Sequence, residues 1–307
     1  MDHFFDPVDQ SNAKPVFESP FISISSSHRS PLPGVMYDAA MKKRINGIDV
    51  RYTVTGEGPW VTLSHSLACR LEMWDEEVKR LAKDFTVLTY DVRGHGESGA
   101  PAMPYTLDMI ADDIKALFDA LGIERSHWIG LSMGGVFGLA AALRYPGIFE
   151  TIVLADTSSK LSDEGIAAFK DRVKTVRAGG MEAMVEPTLK RWFKDSFRAK
   201  SPELMARVAD WIRTTPLEGY IGCSAAIPTI DVTHRLGEID IPCLVIVGAD
   251  DIAMPPVMAQ TLARHLPDAE LCVIPDAGHL SNLEQPEAFN AALRRFLGSR
   301  GGRPAKA

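Results

Sequence analysis

Short apolar runs of β type and longer stretches with helical spacing take turns along this chain. In RINGIDVRYTV (44–54), Asn46-Gly47 sits between two short alternating runs, the mark of a two-residue hairpin. WVTLSHSL (60–67) and FTVLTYD (85–91) read as buried strands. Between them, LEMWDEEVKRLAK (71–83) places Leu71, Trp74, Val78 and Leu81 at helical spacing. TLDMIADDIKALFDALGI (106–123) reads as a helix with Thr106 as cap and Gly122 as stop. The strands HWIGLS (127–132), TIVLAD (151–156), CLVIVGAD (243–250) and ELCVIPDA (270–277) follow. The helices MGGVFGLAAALRYP (133–146), PVMAQTLARHL (256–266) and PEAFNAALRRFL (286–297) go with them. Alternation of this kind predicts βαβ units: an α/β fold with a mostly parallel central sheet flanked by helices.

One region breaks the alternation. Residues 157–235 are amphipathic and helical, through IAAFKDRVKTVRAGG, MEAMVEPTLKRWFKD, PELMARVADWIRTT and YIGCSAAIPTID, with no β-type run. An all-helical insert between two sheet strands reads as a cap. In open α/β sheets ligands bind beyond the carboxyl ends of the strands, and a cap there walls that crevice. The expected organisation is a core of residues 41–156 and 236–298, a helical cap over 157–235, and a flexible tail over 299–307. Residues 1–40 form an N-terminal arm rich in Ser, Pro and Phe, expected to be flexible or to pack on the body or a partner.

The 307 residues, 46% hydrophobic, suffice for one large core. A net charge of -7 argues against a nucleic-acid partner, which shows as a clustered basic surface. Four cysteines lie too far apart for a CxxC motif and are expected as reduced thiols. The start MDHFFDPVDQ lacks a basic, apolar leader, and no run is long enough for a membrane helix, so a cytoplasmic protein without a membrane partner is expected. A homo-oligomer stays possible.

The chemistry concentrates at Gly130-Leu131-Ser132-Met133-Gly134, a G-x-S-x-G pattern between an apolar strand and a helix rich in small residues. A strand-to-helix turn that tight needs small neighbours, and it holds a serine hydroxyl at the N-terminus of a helix. Serine is a weak nucleophile until a base takes its proton. His279, in DAGHL just past the last expected strand, is the candidate base. The acid that orients it should follow CLVIVG, where Asp250 and Asp251 compete and Asp251, three residues after Gly248, is preferred. Asp276 reads as a loop residue. An oxyanion needs two backbone donors, expected from Met133, after the nucleophile, and from Leu67 in the loop after WVTLSHS. His65 and Ser66 could line the pocket or brace that loop. An anionic substrate would need a cation, with Arg70, Lys190, Arg191 and Lys194 as candidates. DVRGHGES (91–98) reads as a structural turn; Asp91 with His95 could touch a metal, but no third ligand is evident. No phosphate loop, metal cluster or dinucleotide fingerprint appears.

Together, the HSL loop, DVRGHGES, GLSMGG, GADDIAMPP and AGHLSNLEQPEAF resemble the α/β-hydrolase superfamily. Ser64-His65-Ser66-Leu67 followed by Met73-Trp74-Asp75, the segment VRAGGMEAMVEPTLKRWF and the ending HLSNLEQPEAFN narrow the resemblance, over residues 43–298, to 3-oxoadipate enol-lactonases. The resemblance implies hydrolysis of a small lactone or ester in aromatic-compound breakdown, without metal or cofactor. It implies Ser132, Asp251 and His279 as triad, Leu67 and Met133 as oxyanion donors, and Trp74, Trp192 and Phe193 as pocket walls. A broad carboxylesterase or amidase, a carbon–carbon bond hydrolase and a ligand receptor that keeps the triad remain alternatives. Two departures from the family pattern stand out: Ala68 where a glycine is expected, and Met254 where threonine is usual.

Overall fold

The computed structural model describes residues 40–102 and 104–300. The expected arm, apart from Ala40, and the tail beyond residue 300 lie outside the described residues. In chain order the elements begin with β1 (Met41–Ile45), β2 (Ile48–Thr55), β3 (Trp60–Ser64), α1 (Asp75–Leu81), β4 (Thr86–Tyr90) and α2 (Leu107–Leu121). They continue with β5 (Ser126–Leu131), α3 (Met133–Arg144) and β6 (Phe149–Ala155). Five helices follow: α4 (Asp163–Gly179), α5 (Glu182–Trp192), α6 (Asp195–Lys200), α7 (Pro202–Thr214) and α8 (Leu217–Ala226). The chain then returns through β7 (Cys243–Gly248), α9 (Pro256–His265), β8 (Ala269–Ile274), α10 (Ser281–Glu284) and α11 (Pro286–Arg300).

The eight strands form one sheet in the order β1-β2-β4-β3-β5-β6-β7-β8. From β4 to β8 along the sheet every pairing is parallel, while β1 and β2 form an antiparallel hairpin at one edge. That hairpin turns at Asn46 (φ 40) and Gly47 (φ 80), as its two residues predict. The parallel strands β3 to β7 are buried on both faces, which is why they read as unbroken apolar runs, while the edge strand β8 leaves Leu271 and Val273 exposed. Trp128 on β5 packs on Phe149 of β6 at 4.9 Å between ring centroids, which anchors the middle of the sheet. The Thr106 hydroxyl caps α2 by accepting from Met109 N–H at 3.1 Å, and Gly122 ends it in a left-handed turn.

The strands stop short of the apolar runs that announced them. β3 ends at Ser64 rather than residue 67, β7 at Gly248 rather than 250, and β8 at Ile274 rather than 277. The residues past β3 stay buried in a loop, whereas Ala249 and Asp250 past β7 and Pro275 and Asp276 past β8 are exposed. The helical signal from Leu71 likewise opens as a tight 3-10 turn, Leu71–Trp74, before α1. At the other end, α11 continues through Arg300, so the first two residues of the expected tail, 299 and 300, are helical.

Helices α4 to α8 all lie between β6 and β7 in sequence and supply the inserted layer. Their apolar stripes face inward: Val208, Trp211 and Ile212 of α7 are buried, as are Met184, Val185 and Leu189 of α5. Among the described residues, the insert's only extended pairing is an isolated bridge between Lys160 and Asp231. No helix among the described residues is long and apolar enough to cross a membrane.

Candidate active site

The residues that carry chemistry sit on loops at the carboxyl ends of three parallel strands. Ser132 follows β5, Asp251 follows β7 and His279 follows β8. Ser132 occupies a strained turn at φ 54 and ψ -110. A side chain at Gly130 would run into the Gly134 carbonyl 2.2 Å away, and one at Gly134 into the Ser64 carbonyl at 2.1 Å. Only glycine lets the strand, the turn and α3 pass so close. Two bonds from the tip of β6 hold the turn in place. Ser132 N–H donates to the Ala155 carbonyl at 2.8 Å, and the Thr157 hydroxyl donates to the Ser132 carbonyl at 2.7 Å.

The serine joins a linear chain of polar groups. His279 Nε2 lies 2.9 Å from Ser132 Oγ, and His279 Nδ1 lies 2.8 Å from Asp251 Oδ2. All three residues are buried. The second oxygen of Asp251 accepts from Ala253 N–H at 2.7 Å and Met254 N–H at 2.9 Å, which sets the carboxylate's orientation. The structure therefore brings Asp251 to the histidine. Asp250 turns outward to Lys194 at 2.6 Å, and Asp276 meets the same lysine at 3.0 Å. Neither Leu67 nor Met133 uses its backbone N–H in a hydrogen bond among the described residues. Ala68, next to Leu67, is held at φ 58, the left-handed region that explains why a glycine was expected there.

A cavity opens over Ser132. Its polar surface comes from Ser66, Ser132, His279, Arg172 and Arg191, and its apolar wall from Leu67, Leu161, Phe169, Trp192, Met254 and Met258. Trp192 thus stands where the resemblance implied, its ring 6.3 Å from that of His279. Trp74 and Phe193 are corrections. Trp74 is fully buried beside Phe289 in the core, and Phe193 stacks on Phe197 at 5.8 Å. Large aromatics near a site in sequence mark burial equally well for core and pocket.

His65 and Ser66 part ways. His65 Nε2 accepts from Val92 N–H at 3.0 Å, so its proton sits on Nδ1, which donates to the Ser66 carbonyl at 2.8 Å. Burial pushes its pKa down to about 4, so it stays neutral and braces the loop that carries Leu67. Ser66 lines the cavity, and among the described residues its buried hydroxyl has no partner. Asp91 is tied to Leu71 N–H at 2.8 Å, to Glu97 N–H at 2.9 Å and to Arg51 at 3.2 Å, which makes DVRGHGES a turn that pins several loops. Among the described residues no group of three or more His, Cys, Asp or Glu is placed to hold a metal.

Of the four candidate cations, three are consumed by neighbours: Arg70 by Glu72, Lys190 by Glu186, and Lys194 by the two aspartates. Arg191 alone of them reaches the cavity, and Arg172 joins it there. Arg172 lies over the Phe169 ring at 4.4 Å, and among the described residues neither it nor Arg191 makes an ion pair. Desolvation lowers the pKa of both, that of Arg191 to about 10 with the Arg172 charge as the second cause; both remain cations at neutral pH. Sequence reading missed Arg172, although a signal existed. It falls three residues after Phe169 and four before Val176, on the buried stripe of α4.

A family model described as the alpha/beta hydrolase fold matches residues 59–286. The chain belongs to the α/β-hydrolase family. Among this hydrolase's relatives, 3-oxoadipate enol-lactonase 2 of Acinetobacter baylyi is 34% identical over 252 residues, covering 81% of this chain and 93% of that protein. A putative carbamate hydrolase, RutD, of Agrobacterium fabrum is 30% identical over 255 residues, covering 81% and 97%. The crystal structure of the enol-lactonase from Burkholderia xenovorans LB400 matches with a TM-score of 0.81 at 35% identity, over 84% of this chain and all 100% of that one. The α/β-hydrolase described here is accordingly a hydrolytic enzyme, similar to enol-lactonases and to a carbamate hydrolase.

Proposed function

We propose that this hydrolase opens a small lactone or ester that carries a carboxylate, through an acyl-enzyme on Ser132. The observation that carries the reading is the hydrogen-bonded line Asp251–His279–Ser132 ending in a cavity. Ser132 Oγ attacks the substrate carbonyl while His279 Nε2 takes its proton. Asp251 holds Nδ1–H and stabilises the imidazolium. The free N–H groups of Leu67 and Met133, the latter at the positive end of α3, receive the oxyanion. His279 then hands its proton to the leaving oxygen. In an enol-lactone that oxygen departs as a stabilised enol and stays tethered to the acyl chain. Water, with His279 again as base, releases Ser132. These steps need only side chains, backbone donors and water.

Arg172 and Arg191 define the rest of the substrate. An unpaired, half-buried guanidinium is costly, and two side by side repel each other. A carboxylate between them and the cavity wall offsets both costs with charge-assisted bonds. The unpartnered Ser66 hydroxyl offers one further contact. The names of the similar proteins fit this picture: enol-lactonases supply the lactone, and the site supplies a place for an acid group. The test is a panel of matched substrates, comprising enol-lactones, plain lactones, aryl esters, amides and carbamates, each with and without a terminal carboxylate. Preference for the acidic lactones and esters is expected. Equal or better turnover of the neutral members would reject the carboxylate, and turnover confined to amides or carbamates would reject the ester class.

A further inference from the structure

The tip of β6 touches all three chemical loops at once. Ala155 accepts from the Ser132 backbone and Thr157 donates to it, as described above. Between them, Asp156 reaches the other two. Its Oδ1 accepts from Gly248 N–H at 2.8 Å, where the loop bearing Asp251 begins. Its Oδ2 is joined to Ser281 Oγ at 2.5 Å, two residues after His279. Asp156 N–H donates to the Ile246 carbonyl at 2.9 Å. The residue is fully buried and sits at φ 47, a conformation that aspartate tolerates better than most side chains. Among the described residues it makes no ion pair, and it does not line the cavity. A buried carboxylate without a cation, in a strained conformation, bonded to two loops that lie far apart in sequence, calls for a role.

We propose that Asp156 is the positioning residue of the site: it locks the acid loop and the base loop in register, so that Asp251 and His279 meet at bonding distance beneath Ser132. The proposal rests on the reading of Ser132, Asp251 and His279 as a triad. Asp156 acts through Gly248 and Ser281 and does not meet the substrate. Burial, and then the neighbouring Asp251 carboxylate, push its acid well above the ordinary range. An amide keeps the shape of the acid: its oxygen still accepts from Gly248 N–H, and its NH2 meets Ser281 Oγ once that hydroxyl turns from donor to acceptor.

The experiment compares Asp156→Asn, Asp156→Ala and Ser281→Ala with the unaltered full chain. It measures kcat and KM on an activated ester and the proton NMR resonance of His279 Nδ1–H. Asp156→Asn is expected within about threefold of wild type, with the resonance in place. Asp156→Ala, confirmed folded by circular dichroism, is expected to lose about 10- to 100-fold in kcat with KM within about twofold, and to lose the resonance. Ser281→Ala cuts a single tie, and a kcat loss of about three- to tenfold with a broadened resonance is expected, which decides the matter if Asp156→Ala does not fold. Wild-type kcat and an intact resonance in either alanine variant overturn the proposal. So does an Asp156→Asn variant as impaired as Asp156→Ala. Ser132→Ala, run alongside, separates the two readings: if it still turns over the ester, the triad mechanism fails, while the resonance still reports whether Asp156 orders the histidine.

Discussion

Charged groups buried in the core and charged groups facing the cavity from the inserted helices are treated differently. In the core, Arg93 holds Asp113 through two bonds of 2.6 and 2.7 Å, and Arg51 holds Glu72 at 2.7 Å and Asp91 at 3.2 Å. Those pairs join strands, turns and α2, and they are complete within the chain. In the insert, Arg172 and Arg191 share a cavity wall and, among the described residues, make no ion pair. Breaking a buried pair leaves one charge stranded, whereas an open pair of cations is stranded from the start. The difference marks which charges serve the fold and which, under the proposed function, await a ligand. Under the same reading the core holds the bond-breaking groups, and the insert selects what reaches them.

The most severe challenge to that division is the loss of the proposed nucleophile. Ser132→Ala is expected to lower kcat by about 10⁴-fold or more, without loss of fold, as followed by ester hydrolysis and thermal melting. Activity that survives would move the chemistry out of the core. Next comes Glu77, like Asp156 a buried carboxyl that makes no ion pair among the described residues. It sits on α1, held by Asn290 Nδ2 at 2.9 Å and Asn282 Nδ2 at 3.4 Å, and burial raises its pKa from the ordinary 4.5 to about 7. The unfolded carboxyl releases its proton near 4.5 while the folded one keeps it to about 7, so wild-type stability falls as pH rises through that window. Glu77→Gln should remove the slope and stabilise the protein at pH 8 by about 3 kcal/mol, with little effect near pH 4. Denaturant melts at the two pH values test this; equal shifts at both would refute it.

The arginines give the next effect. Arg191→Met or Arg172→Met should raise KM for a carboxylate-bearing ester by about 10- to 100-fold, leave a neutral ester within about twofold, and raise the melting temperature of the free enzyme. Equal losses on both esters would make these arginines structural and erase the contrast with the core. The smallest effect belongs to Ala68. Its left-handed backbone costs about 1–2 kcal/mol, partly offset by about 0.8 kcal/mol from its buried methyl group. Ala68→Gly should therefore stabilise by less than about 1 kcal/mol with unchanged kcat, read from chemical denaturation. A fall in kcat would show that the strained alanine holds the Leu67 N–H.

Much of this was legible in the chain. The alternating patterns located the strands of the sheet, and in β3 to β7 burial on both faces writes itself as an apolar run. Thr106 and Gly122 ended α2 where their side-chain and backbone chemistry require. Gly130, Ser132 and Gly134 announced the turn, since no larger residue fits beside it. Other features were not legible. Trp74 and Trp192 look alike in sequence, yet one fills the core and the other faces the cavity. His65 and Ser66 are neighbours, yet one braces and one lines. Arg172 hid on a helix whose inward stripe ordinarily carries apolar residues. Asp156 looked like the last residue of a strand, because its partners lie 92 and 125 residues further on.

The sequence by itself determined the local events: which segments bury, where a turn admits only glycine, and which residue types stand ready as nucleophile, base and acid. These depend on side-chain size, backbone conformation and spacing, all short-range quantities. Only the tertiary structure decided the pairings: Asp251 rather than Asp250 on His279, Lys194 spent on two aspartates, Arg172 and Arg191 left open, Asp156 bridging two loops. Pairing depends on which groups three-dimensional packing brings within bonding distance and removes from water. Neither distance nor desolvation is a property of residues read one after another.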